Sequence, residues 1–356
     1  MPNRPTSGAP TTTLRSLLMD QREAGHPGLA PSLSVVVPTR NRPASLQQTI
    51  ASLLHQELPQ TLYEIVVVDD GSEPPVRAEE LGDPERVRVL RLAHGERSAA
   101  RNFGAEQARG GFVVFMDDDM RPDPGLLQAH LAGQAEWAGA LTVGSVRLPA
   151  TMVAGPYGAF RQGLELRGLP TARGPVANPN FCTAQNMAVS RDRFRQLGGF
   201  DPHMASAEDQ DLALRHTAMG GVIVFLPEAI AIHDDVHLSL TSYCARSEWG
   251  AEQMAPFCRR YPVWPENRQR FAAHGPVRWG SDTPGRILRK TLMRLLGAPP
   301  ALSSLLAATL ALEARWPTSP LLSSLYRLAL GVHLQRGFRR GWADGLPNQT
   351  KVGPAR

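Results

Sequence analysis

The chain has 356 residues, long for one domain, and its 42% hydrophobic and 20% charged content is that of a soluble globular protein: a core domain plus an appended piece is the expected organisation. Three cysteines, Cys182, Cys244 and Cys258, odd in number and outside metal-ligand spacing, argue against a disulfide framework and for a reducing, cytoplasmic setting, and no apolar run reaches the ~18 residues of a membrane span. The net charge of +5 is carried almost wholly by arginine, with lysine only at Lys290 and Lys351, which suits bidentate phosphate contacts and leaves membrane surfaces, nucleic acids and phosphorylated substrates open.

Residues 1–31, rich in Pro, Thr, Gly and Ser and without the apolar centre of a signal peptide, are expected to be a mobile leader. SVVV (34–37) then reads as a short strand closed by Pro38, and 44–56 as a helix on the spacing of Leu46, Ile50, Leu53 and Leu54. The turn between them, PTRNRP, has no glycine, so it is neither a dinucleotide-binding turn nor a P-loop. EIVVVDDGS (64–72) is a second strand; it ends in Asp69 and Asp70, and Gly71 is able to take a turn conformation closed to other residues. RVRVLRL (86–92) is a third, followed by a helix over 97–109. FVVFM (112–116) is a fourth strand and delivers Asp117, Asp118 and Asp119 to one point.

Beyond these acids the pattern predicts a helix from near Asp123, a strand over 140–148, and a long Gly- and Pro-rich loop over 149–180 of the kind that is usually functional. A strand, helix and Gly-Gly stop follow over 186–201. A helix over 206–220 is expected to be capped by Ser206, with Glu208, Asp209 and Asp211 in its first turn. Two short strands, VIVFL and AIAI, end at His233, and from 239 onward the chain reads as helical and basic. Alternating strands and helices argue for an α/β fold with a parallel sheet covered on both faces.

Three adjacent carboxylates repel one another and lose hydration when clustered, so something positive should hold them, and a hard divalent cation bridging to a phosphate is the natural candidate. A solvated acidic turn is the competing account. An EF-hand is excluded, because counting from Asp117 puts Arg121 fifth and Pro122 sixth, where an acid and a glycine are needed.

VVVPTRNRP, EIVVVDDGS, AARNFGAEQARGGFVVFMDDDMRP and NMAVSRDRFRQLGGFD…AEDQDLALR, in this order, resemble the family-two glycosyltransferases over about residues 32–235. The resemblance implies a GT-A fold, with a mostly parallel central sheet flanked by helices and a C-terminal helical extension. It implies a catalytic domain over 32–238, with a nucleotide-binding half to 122 and an acceptor half from 123, while the residue pattern beyond it reads as a basic helical extension over 239–345 and a tail over 346–356. It implies that Pro38, Thr39 and Arg40, with Asp69 or Asp70, line a nucleoside pocket, that Arg101 approaches the nucleotide, and that Asp117, Asp118 and Asp119 fill the DxD position. Metal would fall to Asp117, Asp119 and His233, with His237 close enough to be confused with it. Arg97 is a weaker candidate for the leaving phosphates, Asp209 falls where the catalytic base sits, and Glu208 either orients it or only caps the helix.

The implied reaction moves one sugar from a nucleotide-diphosphate donor to an acceptor hydroxyl. A Mn2+ or Mg2+ ion offsets the charge growing on the leaving diphosphate, and a carboxylate takes the acceptor proton, so one in-line displacement inverts the anomeric centre. The processive Q-x-x-R-W motif is absent; RSEW at 246–249 is not that motif. Two alternatives are a sugar-nucleotide-forming nucleotidyltransferase, which would want a glycine-rich triphosphate loop, and a noncatalytic sugar-nucleotide binding protein. The acceptor, whether glycan, lipid-linked or small molecule, is not legible, and nucleic acid is not expected, since only net charge speaks for it. The Leu and Arg pattern between 286 and 340 adds an expectation of peripheral membrane contact, at the inner face of the membrane, against the competing account of an ordinary packed amphipathic helix.

Overall fold

A computed structural model describes residues 31–167, 169–235 and 239–342; the first thirty residues of the expected leader, the tail and His237 lie outside them. The chain forms two compact units. Among the described residues, one holds 31–147, 169–202 and Asp209–Asp234, and the other Leu148–Arg167, His203–Glu208, Asp235 and 239–342.

The first unit is built on one sheet. Its strands are β1 (Leu33–Thr39), β2 (Tyr63–Asp70), β3 (Val87–Leu92), β4 (Phe112–Met116), β5 (Met120–Pro122), β6 (Leu141–Arg147), β7 (Gly174–Val176), β8 (Asn186–Ser190) and β9 (Ile223–His233). They lie in the order β3-β2-β1-β4-β8-β6-β9-β5, with β7 paired to β9. The half made by β3, β2, β1 and β4 is wholly parallel, while β8 runs antiparallel to both β4 and β6. The expected GT-A architecture, a mostly parallel sheet flanked by helices, is what is found.

Why these segments are strands is visible in where their residues go. Alternate residues of a strand point to opposite faces. Leu33, Val35 and Val37 of β1 join Ile65 and Val67 of β2 in one apolar layer, and Val36, Val66 and Val68 join Val113 and Phe115 in the other. Both faces are buried, so a near-continuous β-branched run is required rather than a polar alternation. The helix Glu96–Gln107 lies against the second layer so closely that a Cβ at Gly104 would stand 2.4 Å from Val36 Cγ1 and 2.9 Å from Val68 Cγ2. Gly104→Ala is expected to lower stability by about 1–3 kcal/mol through overpacking, read as a lower urea midpoint.

A buried polar chain crosses the second half of the sheet. Asn186 donates through Nδ2 to the carbonyls of Ser145, at 3.3 Å, and Ala229, at 2.8 Å. Its Oδ1 therefore accepts from His130 Nε2 at 2.8 Å, while His130 Nδ1 faces Thr142 Oγ1 at 2.9 Å. Burial, opposed in part by Asn186, pushes the His130 imidazole down from 6.5 to about 4. Between those values the unfolded chain binds a proton that the folded chain refuses, so this contribution to stability is complete above pH 6.5 and is lost as the pH falls toward 4. Urea unfolding at stepped pH should show the wild type losing of order 3 kcal/mol more than His130→Gln across that window.

Two expectations are corrected. Residues 149–180 are not one irregular loop: they contain the helices Ala150–Val153 and Pro156–Glu165, β7 and a short turn of helix at Pro179–Phe181. Tyr157 and Phe160 are the reason, because their rings pack on Tyr326 at 5.8 and 5.2 Å in the second unit, and a proline at the helix start fixes its entry. VIVFL and AIAI form the single strand β9, with the register against β6 shifted between Gly144 and Ser145. The three-residue β5 was too short to be read at all.

The second unit is helical. The helices Leu240–Gln253 and Leu321–Gly341 meet around Leu240, Cys244, Leu322, Tyr326 and Ala329. Glu248 is held there by Arg336 at 3.3 Å, Arg340 at 2.6 Å and His333. The three cysteines are free and buried, as small apolar groups would be.

Candidate active site

Because β2, β1 and β4 are neighbours and parallel, their carboxyl ends open at one edge of the sheet, the place where open α/β sheets take ligands. The residues at those ends are Thr39, the Asp69–Asp70 pair and the Asp117–Asp119 run. All are buried. Thr39 Oγ1 donates to Asp118 Oδ2 at 2.6 Å, joining the first loop to the third.

Two arginines balance the acids. Arg101, from the helix Glu96–Gln107, is 1% exposed and meets Asp117 Oδ1 at 2.5 Å, with its guanidinium also over the Phe200 ring. Arg42, in the turn after β1, reaches Asp118 Oδ1 at 3.1 Å and Asp119 Oδ2 at 2.8 Å. Burial works against the Arg42 charge, but Asp118 and Asp119 outweigh it and hold its pKa above the ordinary value. Asp118 is pushed up by burial, against the pull of Thr39 and Arg42. For Asp119 burial is overcome by His233, 3.5 Å away, and by Arg42, and its carboxyl stays well below the usual range.

Asp69 accepts from the Ser72 and Val76 amides at 2.7 and 3.2 Å and pairs with Arg91 at 2.5 Å. Burial alone would raise its pKa, yet these amides and Arg91 lower it. Asp70 takes Gly95 N–H at 2.6 Å and His94 Nδ1 at 2.8 Å, while Arg40 donates to His94 Nε2 at 2.8 Å. An arginine only donates, so Nε2 accepts and Nδ1 carries the proton given to Asp70. Pro38 sits within β1 beside Val68, and Arg97 is exposed in the first turn after Gly95.

Which groups suit a divalent ion can be tested on the unsatisfied atoms. Asp119 Oδ1 is buried with no hydrogen-bond partner, which is costly for a carboxylate and fits a cation ligand. His233 sits beside Asp119, set there by the pairing of Met120 with His233 and of the Asp234 N–H with the Asp119 carbonyl at 2.8 Å. Arg101 takes one oxygen of Asp117. Among the described residues no three His, Cys, Asp or Glu side chains form a preassembled metal cluster. A Mg2+-like ion held by one or two carboxylates and substrate phosphates needs no such cluster.

Asp209 stands in the first turn of the helix Glu208–Ala218. Its Oδ2 accepts from Ala184 N–H at 3.3 Å and its Oδ1 from Gln210 N–H at 2.8 Å. Asn186, two residues on from Ala184, pairs with Met116, so this hydrogen bond ties Asp209 to chain passing the carboxyl end of β4. Burial and then the nearby Asp209 charge push the Cys182 thiol well above its ordinary value. Glu208 opens the helix and is buried. The helix begins at Glu208, two residues after Ser206, and Ala207 between them has φ 66°.

Residues 34–173 match the family model described as glycosyl transferase family 2. That stretch, which includes the Asp117–Asp119 run, is what the chain shares with that family. Across 237 residues it is 28% identical to a pre-mycofactocin glycosyltransferase of Mycobacterium tuberculosis, a match covering 65% of this chain and 48% of that one. It is 25% identical over 217 residues to glycosyltransferase AglE of Haloferax volcanii, covering 57% and 67%. In the mycobacterial case the match thus spans about half the length of the relative. A mannosyltransferase from Pyrobaculum calidifontis, solved with GDP-Man and Mn2+, superposes with a TM-score of 0.56 at 18% identity, over 91% of this chain and 94% of that one, which establishes the common fold.

The structure adds residues that sequence reading missed. Arg42 joins Asp118 to Asp119, Arg91 neutralises Asp69, and His94 links Arg40 to Asp70. The signal for Arg42 was a second arginine in PTRNRP, two positions beyond Arg40; its partners, 76 and 77 positions away, gave none.

Proposed function

We propose that this protein transfers one sugar from a nucleoside-diphosphate donor to an acceptor hydroxyl, with inversion and with help from a divalent cation. The observation that carries this reading is the Asp117–Asp119 cluster at the shared edge of β1, β2 and β4, anchored by Thr39, Arg42 and Arg101. On this reading Asp69 and Asp70, which are held by backbone amides, Arg91 and His94, shape the nucleoside side of the pocket with Pro38, Thr39 and Arg40. Asp119, with His233 and Asp117, would hold Mn2+ or Mg2+, which supplies positive charge where the leaving diphosphate becomes more negative. Arg42, spanning Asp118 and Asp119 before any donor arrives, favours the charged form of both carboxylates and orients them.

Asp209 takes the acceptor proton as the oxygen attacks, and Glu208 beside it in the same turn steadies the helix start. A cytoplasmic setting fits the buried free thiols and the cytosolic supply of such donors. The acceptor is a hydroxyl of a glycan, a lipid-linked molecule or a small molecule.

Titration calorimetry of the full chain with UDP- and GDP-sugars, with and without Mn2+ or Mg2+, tests the reading. Metal-dependent binding and release of nucleoside diphosphate are expected. Silence toward every donor and both metals would discard it, and release of pyrophosphate from a nucleoside triphosphate would replace it with nucleotidyl transfer.

A further inference from the structure

We propose that the helix Pro284–Leu296, together with the helix Pro299–Arg315 after it, docks this chain on an anionic lipid surface. A packed surface helix hides its apolar stripe and exposes its charges. Here the arrangement is reversed. Leu288, Leu292 and Leu295, spaced i, i+4 and i+7 on one stripe, are 70%, 49% and 66% exposed. The buried side chain of this helix is Lys290, which donates to Asp282 at 2.7 Å and to the Pro276 carbonyl at 3.0 Å. Its charge is thereby spent inside the protein, while the leucines face outward.

The flanks of the stripe carry the second observation. Arg289 and Arg294 are exposed, one on each margin of the leucines, and Trp279, 81% exposed, precedes the helix. Apolar residues along one face with arginines at its borders and an aromatic beside it are what an interfacial helix needs, because the leucines enter the acyl boundary while the guanidinium groups stay among phosphates. The following helix continues the surface. From Leu295 to Leu312 the sequence holds no charged residue, and Ala307, Ala308, Leu310 and Ala311 are exposed. Together the two helices have the length and apolarity of a membrane span, but they are bent by 90° at the break between them, and no single helix among the described residues is long and apolar enough to cross. They are shaped to lie on a bilayer rather than through it.

Charge selects the kind of surface. Residues 239–342 carry fifteen Lys and Arg against five Asp and Glu, whereas the whole chain has 38 against 33, so the positive excess of the protein is concentrated here. Anionic lipid attracts such a segment within a Debye length. A second copy of this chain is the less suitable occupant, since a two-fold pairing of leucine stripes would bring the bordering arginines of both copies together.

This surface stands apart from the transfer reading and is tested without activity. The full chain is floated with phosphatidylcholine vesicles containing or lacking phosphatidylglycerol, at low and high salt. Wild type should float with the anionic vesicles about tenfold more than with neutral ones, and high salt should weaken it. Leu288→Ser/Leu292→Ser/Leu295→Ser should lose binding about tenfold or more while keeping the wild-type Tm, because exposed side chains are replaced. Arg289→Gln/Arg294→Gln should lose the preference for anionic vesicles. The proposal is overturned if wild type stays in the unbound fraction with anionic vesicles, if the leucine variant floats equally well, or if the leucines instead support a dimer that ignores vesicles.

Discussion

Asp209→Asn is expected to leave a folded protein that binds donor normally and turns over about 10² to 10⁴ times more slowly, the usual contribution of a positioned general base. The change is nearly isosteric. The amide oxygen can still accept the Ala184 N–H that Asp209 holds at 3.3 Å, so the link to the chain beside β4 should survive. What disappears is the capacity to receive a proton. A carboxylate at a helix start also favours the helix dipole, by up to about 1 kcal/mol when exposed, and that effect alone would show as a small fall in Tm with kcat unchanged. Measuring kcat with donor and acceptor saturating, alongside thermal unfolding, separates the two. Near-normal kcat in Asp209→Asn removes the assignment of the base.

The second large effect is on stability. Arg101→Met should destabilise the first unit by about 3–5 kcal/mol, as expected when one partner of a buried ion pair is removed and the other charge is left in the protein. Arg101 meets Asp117 at 2.5 Å and is 1% exposed, and its guanidinium lies over Phe200, so no water replaces it easily. Adding Asp117→Leu should restore part of the loss, because it removes the stranded carboxylate, and the double-mutant cycle then isolates the pair. Urea unfolding of the four proteins decides it. If the single variant loses less than about 1 kcal/mol, the ion pair is not what holds the acidic run in place.

Much of this was legible in the chain itself. The β-branched runs at 34–37, 64–68 and 112–116 announce strands buried on both faces, and acids at their ends share an edge because the strands are parallel and adjacent. Elements whose identity depends on distant partners were not legible. The helix Pro156–Glu165 is half-hidden in Gly- and Pro-rich sequence and shows its purpose only when Tyr157 and Phe160 meet Tyr326. For the leucines of Pro284–Leu296 the sequence left a packed face and a membrane-facing stripe both open, since periodicity reports a stripe and not the side it is on. Arg42, Arg91 and His94 could be counted as basic residues, but which acid each would meet is a property of strand order.

The hydrogen bond from Thr39 to Asp118 closes a span of 79 positions along the chain. Strand pairings over such distances form slowly, because the loop must be closed before its contacts compensate for the lost entropy. The proposed donor pocket is therefore expected to be complete only once β1 has joined β4, and chains halted earlier should bind a nucleotide poorly. A nucleoside diphosphate added during refolding should capture only finished molecules, which makes the ligand a quantitative reporter of maturation and a stabiliser whose effect follows its own free concentration.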